Sequence, residues 1–174
     1  MQRLAATLLI STLSATAANA HAVITPREAQ ADSYARLAIS ITHGCDGSPT
    51  KVVRVLIPAG VNGARPQPKA GWTLDVTKEK LATPISGPHG TTITERVTEI
   101  TWTGTLDADH FDDFSINVRL PDAPNKTLHF ATLQECQSGK MDWSEIPANG
   151  KSAHELRYPA PSLNLLPKKP THAH

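Results

Sequence analysis

The sequence predicts an all-β fold, a single antiparallel β-sandwich with irregular loops. Short apolar runs alternate with polar or small neighbours at a period of two residues, which is typical of half-buried strands. The 14 prolines and 10 glycines of the 174-residue chain punctuate these runs, and no segment keeps a 3.6-residue apolar period. Six or more short strands at this spacing favour two packed sheets.

The alternation defines six predicted strand regions, residues 35–41, 53–57, 72–76, 91–103, 114–120 and 128–132. Their apolar positions are Ala35, Leu37, Ile39 and Ile41; Val53, Val55 and Ile57; Trp72, Leu74 and Val76; Ile93, Val97, Ile100 and Trp102; Phe114, Ile116, Val118 and Leu120; and Leu128 and Phe130. Residues 58–71 and 84–90 are rich in proline and glycine and are predicted as loops. We expect one domain over residues 21–165 and a flexible tail over residues 166–174.

The first twenty residues are typical of a secretory signal peptide. Arg3 supplies the positive start, residues 4–17 are apolar or small and uncharged, and Ala18-Asn19-Ala20 is a small-x-small cleavage site. The stretch is too short and too rich in Ala, Ser and Thr for a membrane span, and no later segment is apolar enough for one. We therefore expect export to the periplasm or beyond, and a mature chain that begins at His21.

The charge balance argues against nucleic acid as a partner. Loss of Arg3 with the signal reduces 17 basic residues to 16, against 16 acidic residues, so the mature chain has a formal net charge of zero. Binding to a phosphate backbone needs a basic face, and the sequence shows none.

The two cysteines, Cys45 and Cys136, suit an exported protein. An even number in an oxidising compartment predicts one disulfide, which would close a loop of about 90 residues. The alternative is a pair of thiolates at a soft-metal site. Their separation, without a C-x-x-C motif, favours the disulfide.

A histidine at the mature N-terminus offers unusual metal chemistry. The free α-amine and the ring Nδ1 of His21 can close a six-membered chelate on one ion, and the amine has an ordinary pKa near 8, so a metal displaces its proton readily. Nitrogen donors of this kind suit Cu(II). Met141 is the one methionine left after cleavage, so the soft thioethers that Cu(I) carriers use are scarce. The predicted cofactor is therefore Cu(II).

The chain also carries six short motifs in a defined order: His21-Ala22-Val23-Ile24-Thr25-Pro26, Gly71-Trp72, Ile100-Thr101-Trp102, Asp109-His110-Phe111-Asp112-Asp113-Phe114, Gly139 four residues before Trp143, and Pro159-Ala160-Pro161. Together they resemble the YcnI-like copper-binding domain family over nearly all of the mature chain. The resemblance implies a periplasmic β-sandwich of the immunoglobulin- or cupredoxin-like kind. It also implies that a single-histidine brace, helped by carboxylates and a nearby tryptophan, holds Cu(II).

The resemblance assigns His21 to the brace and Trp143 to the tryptophan beside the metal, and it leaves Trp72 to core packing. This sequence departs from the family where the carboxylates are expected. His43 and His110 lie near those two positions and become the candidate further ligands. Asp46 and Asp109 are the fallback ligands. A disulfide between Cys45 and Cys136 would then staple the loops that carry the ligands.

The predicted function is non-catalytic copper handling or delivery in the periplasm. The expected partner is another periplasmic copper chaperone or a membrane copper transporter. A copper-dependent polysaccharide mono-oxygenase remains an alternative, although only 5% of the residues are aromatic and such enzymes usually present exposed aromatic side chains to their substrate. The other alternative is a non-metal carbohydrate-binding or adhesion module whose leading histidine is accidental.

Overall fold

The alternating sequence pattern folds into β-strands throughout the computed structural model, which describes residues 21–87, 90–148 and 152–168. The predicted signal peptide lies outside the described residues, as do His172 and His174. The strands are β1 (Val23–Thr25), β2 (Glu28–Gln30), β3 (Tyr34–Ile41), β4 (Thr50–Leu56), β5 (Asn62–Pro66), β6 (Thr73–Ser86), β7 (Thr92–Leu106), β8 (Asp112–Arg119), β9 (Thr127–His129), β10 (Thr132–Cys136), β11 (Lys140–Trp143) and β12 (Ser162–Leu166). A short 3₁₀ helix covers Ala153–Glu155.

Two antiparallel sheets face each other across one core. The first has the strand order β1-β3-β8-β5 and the second the order β11-β10-β4-β7-β6. Alternate residues of each central strand point into the core, where Leu37, Ile39 and Ile41 of β3 are almost completely buried. The ring of Phe114 on β8 meets that of Trp102 on β7 edge to face at 5.4 Å, so the contact joins the two sheets. The predicted β-sandwich is confirmed.

A third, smaller sheet has the order β2-β12-β9, and its β2–β12 pairing is parallel. Strand β12 carries Leu163 and Leu165, both almost completely buried, so this sheet extends the core rather than standing apart. Leu166 ends β12 and Lys168 forms ion pairs with Asp32 and Asp122, at 2.8 and 3.1 Å. The start of the predicted tail is therefore attached to the domain, and residues 169–174 lie outside the described part of the chain.

Two segments predicted as loops contain strand. Residues 62–66 form β5, which pairs with β8 at the edge of the first sheet despite its glycine and proline, with a register shift between Asn62 and Arg65. Strand β6 continues through Pro84 to Ser86, with a register shift between Lys80 and Ile85. Both prolines lie where sheets tolerate them, on edge strands next to irregular pairing. A prediction of loops from proline and glycine content alone does not take this into account.

Cys45 and Cys136 form a disulfide, which confirms that prediction. The bond joins the turn after β3 to the end of β10. Because β3 belongs to the first sheet and β10 to the second, the disulfide ties the two sheets together at one end of the sandwich.

Candidate metal centre

His21 lies at one end of the sandwich, directly before the edge strand β1. Val23 pairs with Ser40 near the end of β3, and Ile41 pairs with Asp112 at the start of β8. The start of β1, the turn after β3 and the loop before β8 therefore share this end. The three predicted ligands His21, His43 and His110 fall on these three segments.

The imidazole of His21 packs against Trp143. The two rings meet edge to face with centroids 6.1 Å apart, and Trp143 is almost completely buried on β11. Nε2 of His21 is buried and has no hydrogen-bond partner among the described residues. An aromatic face is a weak acceptor for such an N–H. A ring with its proton on Nε2 keeps the lone pair of Nδ1, which is the ring atom that an N-terminal chelate uses.

Gln134, a residue that the sequence analysis did not select, fixes the orientation of Trp143. It is buried on β10, and its Oε1 accepts a hydrogen bond from the indole Nε1 of Trp143 at 3.1 Å. Its Nε2 donates to the backbone oxygen of His43 at 2.7 Å and to Thr50 Oγ1 at 2.8 Å. All polar atoms of this buried amide are thus engaged, which is the condition under which a buried polar group adds rigidity.

Behind Trp143, the chain returns to the site through residues 152–160. Tyr158 packs edge to face on Trp143 with ring centroids 5.3 Å apart. Three hydrogen bonds from the neighbourhood of Glu145 hold the returning segment: Glu145 N donates to Tyr158 O, Tyr158 N donates to Glu145 Oε2, and Ala160 N donates to Glu145 O, at 2.8–3.0 Å.

This segment borders an open cavity of about 140 Å³ beside His21. The cavity is lined by His21, Ala22, Val23, Ile24, Arg27, Ala153, His154, Pro159, Ala160, Pro161 and Ser162. His154 is therefore a second histidine that lines this cavity, and it is exposed to solvent. His154 follows a loop with no strand pattern and no motif, so the sequence gives no signal for it.

His43 lies beside the network without lining this cavity. Its Nδ1 is 2.6 Å from the backbone oxygen of Gly44, and its own backbone oxygen is the acceptor for Gln134. Gly44 N donates to Ala108 O at 2.8 Å, which ties the turn after β3 to the loop before β8. A Cβ on Gly44 would lie 2.1 Å from the Ser48 oxygen, so this turn needs glycine.

His110 and the two fallback aspartates are exposed to solvent. The His110 side chain is 64% exposed and contacts Asp107 and Asp109 at 3.7 and 3.8 Å, while the Asp109 side chain is 88% exposed. Asp46 is exposed on the turn between Cys45 and Ser48. Within the described ranges, no three His, Cys, Asp or Glu side chains form a group that could hold a metal. The structure thus keeps His21 beside Trp143 and does not gather His21, His43 and His110 into one cluster.

The donors around His21 suit an ion that prefers nitrogen. The cavity offers the imidazoles of His21 and His154, and none of its described lining residues is acidic. Calcium and magnesium favour sites with carboxylate oxygens, which the described lining does not supply. An amine and imidazole donor set fits Cu(II), which takes a tetragonal arrangement of nitrogen and oxygen atoms.

A second cavity, of about 740 Å³, lies at the opposite end of the sandwich. It opens between the edge strand β5 and the long β6–β7 hairpin, and Tyr34, Arg65, Lys78, Ile85 and Arg119 are among its lining residues. Tyr34 pairs with Arg119 at the end of β3 and β8 that lies furthest from His21. This cavity is therefore separate from the candidate metal centre.

Trp72 packs against the core, as predicted. Its ring meets that of Phe114 edge to face with centroids 4.9 Å apart. The absence of a side chain at Gly104 makes room for it, because a Cβ there would lie 2.4 Å from the indole.

The fold and the site define an immunoglobulin-like β-sandwich with a histidine–tryptophan pair at one end. The chain belongs to the family DUF1775, a domain of unknown function, whose model matches residues 21–165. Among solved structures, an uncharacterized protein from Nocardia farcinica with an immunoglobulin-like fold is similar, with a TM-score of 0.65 and 23% sequence identity over 84% of this chain and 98% of that chain. At this identity the likeness shows the fold alone. No curated protein matches the chain.

Proposed function

We propose that the mature protein binds one Cu(II) ion through its N-terminal His21 and handles or delivers copper in the periplasm without catalysis. The observation that carries this proposal is the half-buried His21 ring, which packs on Trp143 with Nε2 turned into protein. That packing holds the imidazole in place while the chelating amine and Nδ1 are used for the metal.

Signal-peptide cleavage is an essential step in this proposal. In the uncleaved chain the nitrogen of His21 is an amide and is a poor ligand at neutral pH. After cleavage it is an amine, and the chelate exists. Copper binding is thereby confined to protein that has been exported, where a periplasmic chaperone or a membrane copper transporter could receive the ion. The resemblance to YcnI-like proteins supports the same assignment.

The test compares two proteins that differ by one residue at the N-terminus. Mature protein starting at His21, confirmed by intact mass, and a form with one extra Ala before His21 are titrated with Cu(II) and followed by EPR. We expect one tight, nitrogen-rich tetragonal site in the first and loss of tight binding in the second, because the extra residue converts the amine to an amide. Both proteins carry alanine in place of His172 and His174, because closely spaced histidines can bind a metal ion independently of His21.

Equal affinity in the two forms would contradict the proposal. In that case the cavity between β5 and the β6–β7 hairpin becomes the best candidate site. Its volume of about 740 Å³ falls within the range of small-molecule pockets, and its mixed apolar and polar lining suits a non-metal binding module.

A further inference from the structure

The cavity beside His21 is lined by a second histidine, which no motif and no family resemblance indicates. His154 and His21 line the same volume of about 140 Å³, and they come from opposite ends of the described chain. Arg27 supplies the only charged side chain among the described lining residues, and no carboxylate is among them.

The backbone around His154 is held in place by specific contacts. His154 lies in the 3₁₀ helix Ala153–Glu155, and the Ser152 hydroxyl accepts a hydrogen bond from its backbone N–H at 3.2 Å. The chain after this turn is attached to Glu145 by three hydrogen bonds and to Trp143 through Tyr158. The same contacts therefore hold the chain segment that brings His154 to the cavity lined by His21.

The alternative histidines are less suited to this role. His110 contacts Asp107 and Asp109 at 3.7 and 3.8 Å, and His43 has its Nδ1 2.6 Å from the Gly44 carbonyl oxygen. Neither lines the cavity that contains the His21 ring.

We propose that His154 is the second imidazole ligand of the Cu(II) ion. This inference rests on the proposed function of His21. The amine of His21, its Nδ1 and the His154 ring would give three neutral nitrogen donors, which is a favourable set for Cu(II). Such a site has only two metal-binding side chains, so it is compatible with the lack of any group of three among the described residues.

The charge of Arg27 has a consequence for the remaining coordination position. Three neutral donors leave the charge of the ion uncompensated, and Arg27 adds a positive charge to the same cavity. An anion such as hydroxide or chloride is therefore expected to accompany the ion.

The experiment counts imidazole ligands in the mature protein. Cu(II) complexes of the wild-type protein and of His154→Ala are compared by pulsed EPR, which detects the remote nitrogen of each bound imidazole, and their affinities are measured by chelator competition. We expect two imidazoles in the wild type and one in the variant. Loss of an outer-shell partner of a metal ligand costs about 10–100-fold in affinity, so loss of a direct ligand should weaken binding by at least about tenfold.

His110→Ala is the matched control, because it removes an imidazole at the same end of the sandwich and should leave both measurements unchanged. His154→Gln provides a second variant that keeps a polar side chain, and circular dichroism establishes that each variant is folded. Two bound imidazoles in folded His154→Ala would overturn the inference while leaving the His21 chelate standing. The inference would also be overturned if the wild type bound copper through one imidazole. Loss of tight binding in the Ala-extended protein would then still support the His21 chelate. If the wild type binds no copper tightly, both proposals fail.

Discussion

At the scale of single residues, burial changes the acid–base behaviour of His129. This side chain lies on β9, its Nδ1 is buried without a hydrogen-bond partner among the described residues, and desolvation lowers its pKa below the ordinary value of 6.5. The folded protein therefore resists protonation of this ring more than the unfolded chain does. The contribution of the neutral His129 ring to the stability of the folded protein is complete above the pKa that this ring has in the unfolded chain. It is lost as the pH falls below that pKa.

We predict that His129→Gln reduces the loss of stability on acidification. The free energy of unfolding of the wild type should fall between pH 7.5 and pH 5, because the unfolded chain gains a proton that the folded chain excludes. The variant lacks that group and should show a smaller fall. Urea denaturation at both pH values measures it, with exposed His110→Gln as the control. An identical fall in wild type and His129→Gln would show that other groups cause the pH dependence.

The sequence could indicate only some of the residues at the candidate metal centre. His21 is recognisable because it follows a predicted cleavage site, and Trp143 is recognisable through its place in an ordered set of motifs. Gln134 and His154 gave no such signal. A polar residue in an alternating strand looks the same whether it faces solvent or a buried indole. The segment that carries His154 is joined to Glu145 by hydrogen bonds of Tyr158 and Ala160, which no local pattern encodes.

At the scale of elements, Gln134 connects three parts of the fold. From β10 it reaches Trp143 on β11, Thr50 on β4 and the backbone of His43 after β3. Strand pairing already joins β10 to β4 and β11, but the contact with His43 crosses to the chain leaving the other sheet. The amide thus couples the two sheets where the candidate metal centre lies.

We predict that Gln134→Leu destabilises the protein although leucine has a similar volume. It leaves the Trp143 N–H and the His43 carbonyl without their partner, and an unsatisfied buried polar group costs about 1–3 kcal/mol. The midpoint of urea denaturation should fall accordingly. Gln137→Leu, at an exposed position three residues along, is the matched control and should change stability by less than about 0.5 kcal/mol. A midpoint equal to that of the control would contradict the coupling role.

Element boundaries were harder to predict than element types. The alternation of apolar and polar residues predicted the central strands β3, β4, β7 and β8, because one face of each strand packs on the core and the other does not. It missed the short strands β1, β2, β11 and β12. It also missed β5 and shortened β6, since an edge strand can contain Pro66 or Pro84 where a sheet interior cannot.

At the scale of the whole molecule, the candidate metal centre lies where the edges of the two sheets meet. His21 precedes β1 of the first sheet, Trp143 ends β11 of the second, and the chain that carries His154 crosses between them before joining the third sheet through β12. Local movement of one sheet against the other would change the spacing of these residues. The Cys45–Cys136 disulfide opposes such movement at the same end of the sandwich.

We predict that replacing both cysteines by alanine lowers global stability substantially. The bond links residues 91 apart, and in the chain-entropy model a loop of that length corresponds to about 4–5 kcal/mol, through restriction of the unfolded chain. Urea denaturation of the oxidised wild type and the Cys45→Ala, Cys136→Ala double variant measures the difference. The double variant also resists reductant, so adding reductant should lower the wild-type midpoint toward that of the variant and leave the variant unchanged. A double variant as stable as the oxidised wild type would show that strand pairing and core packing alone hold the two sheets together. In that case the disulfide would have no measurable part in the global stability on which the geometry around His21 depends.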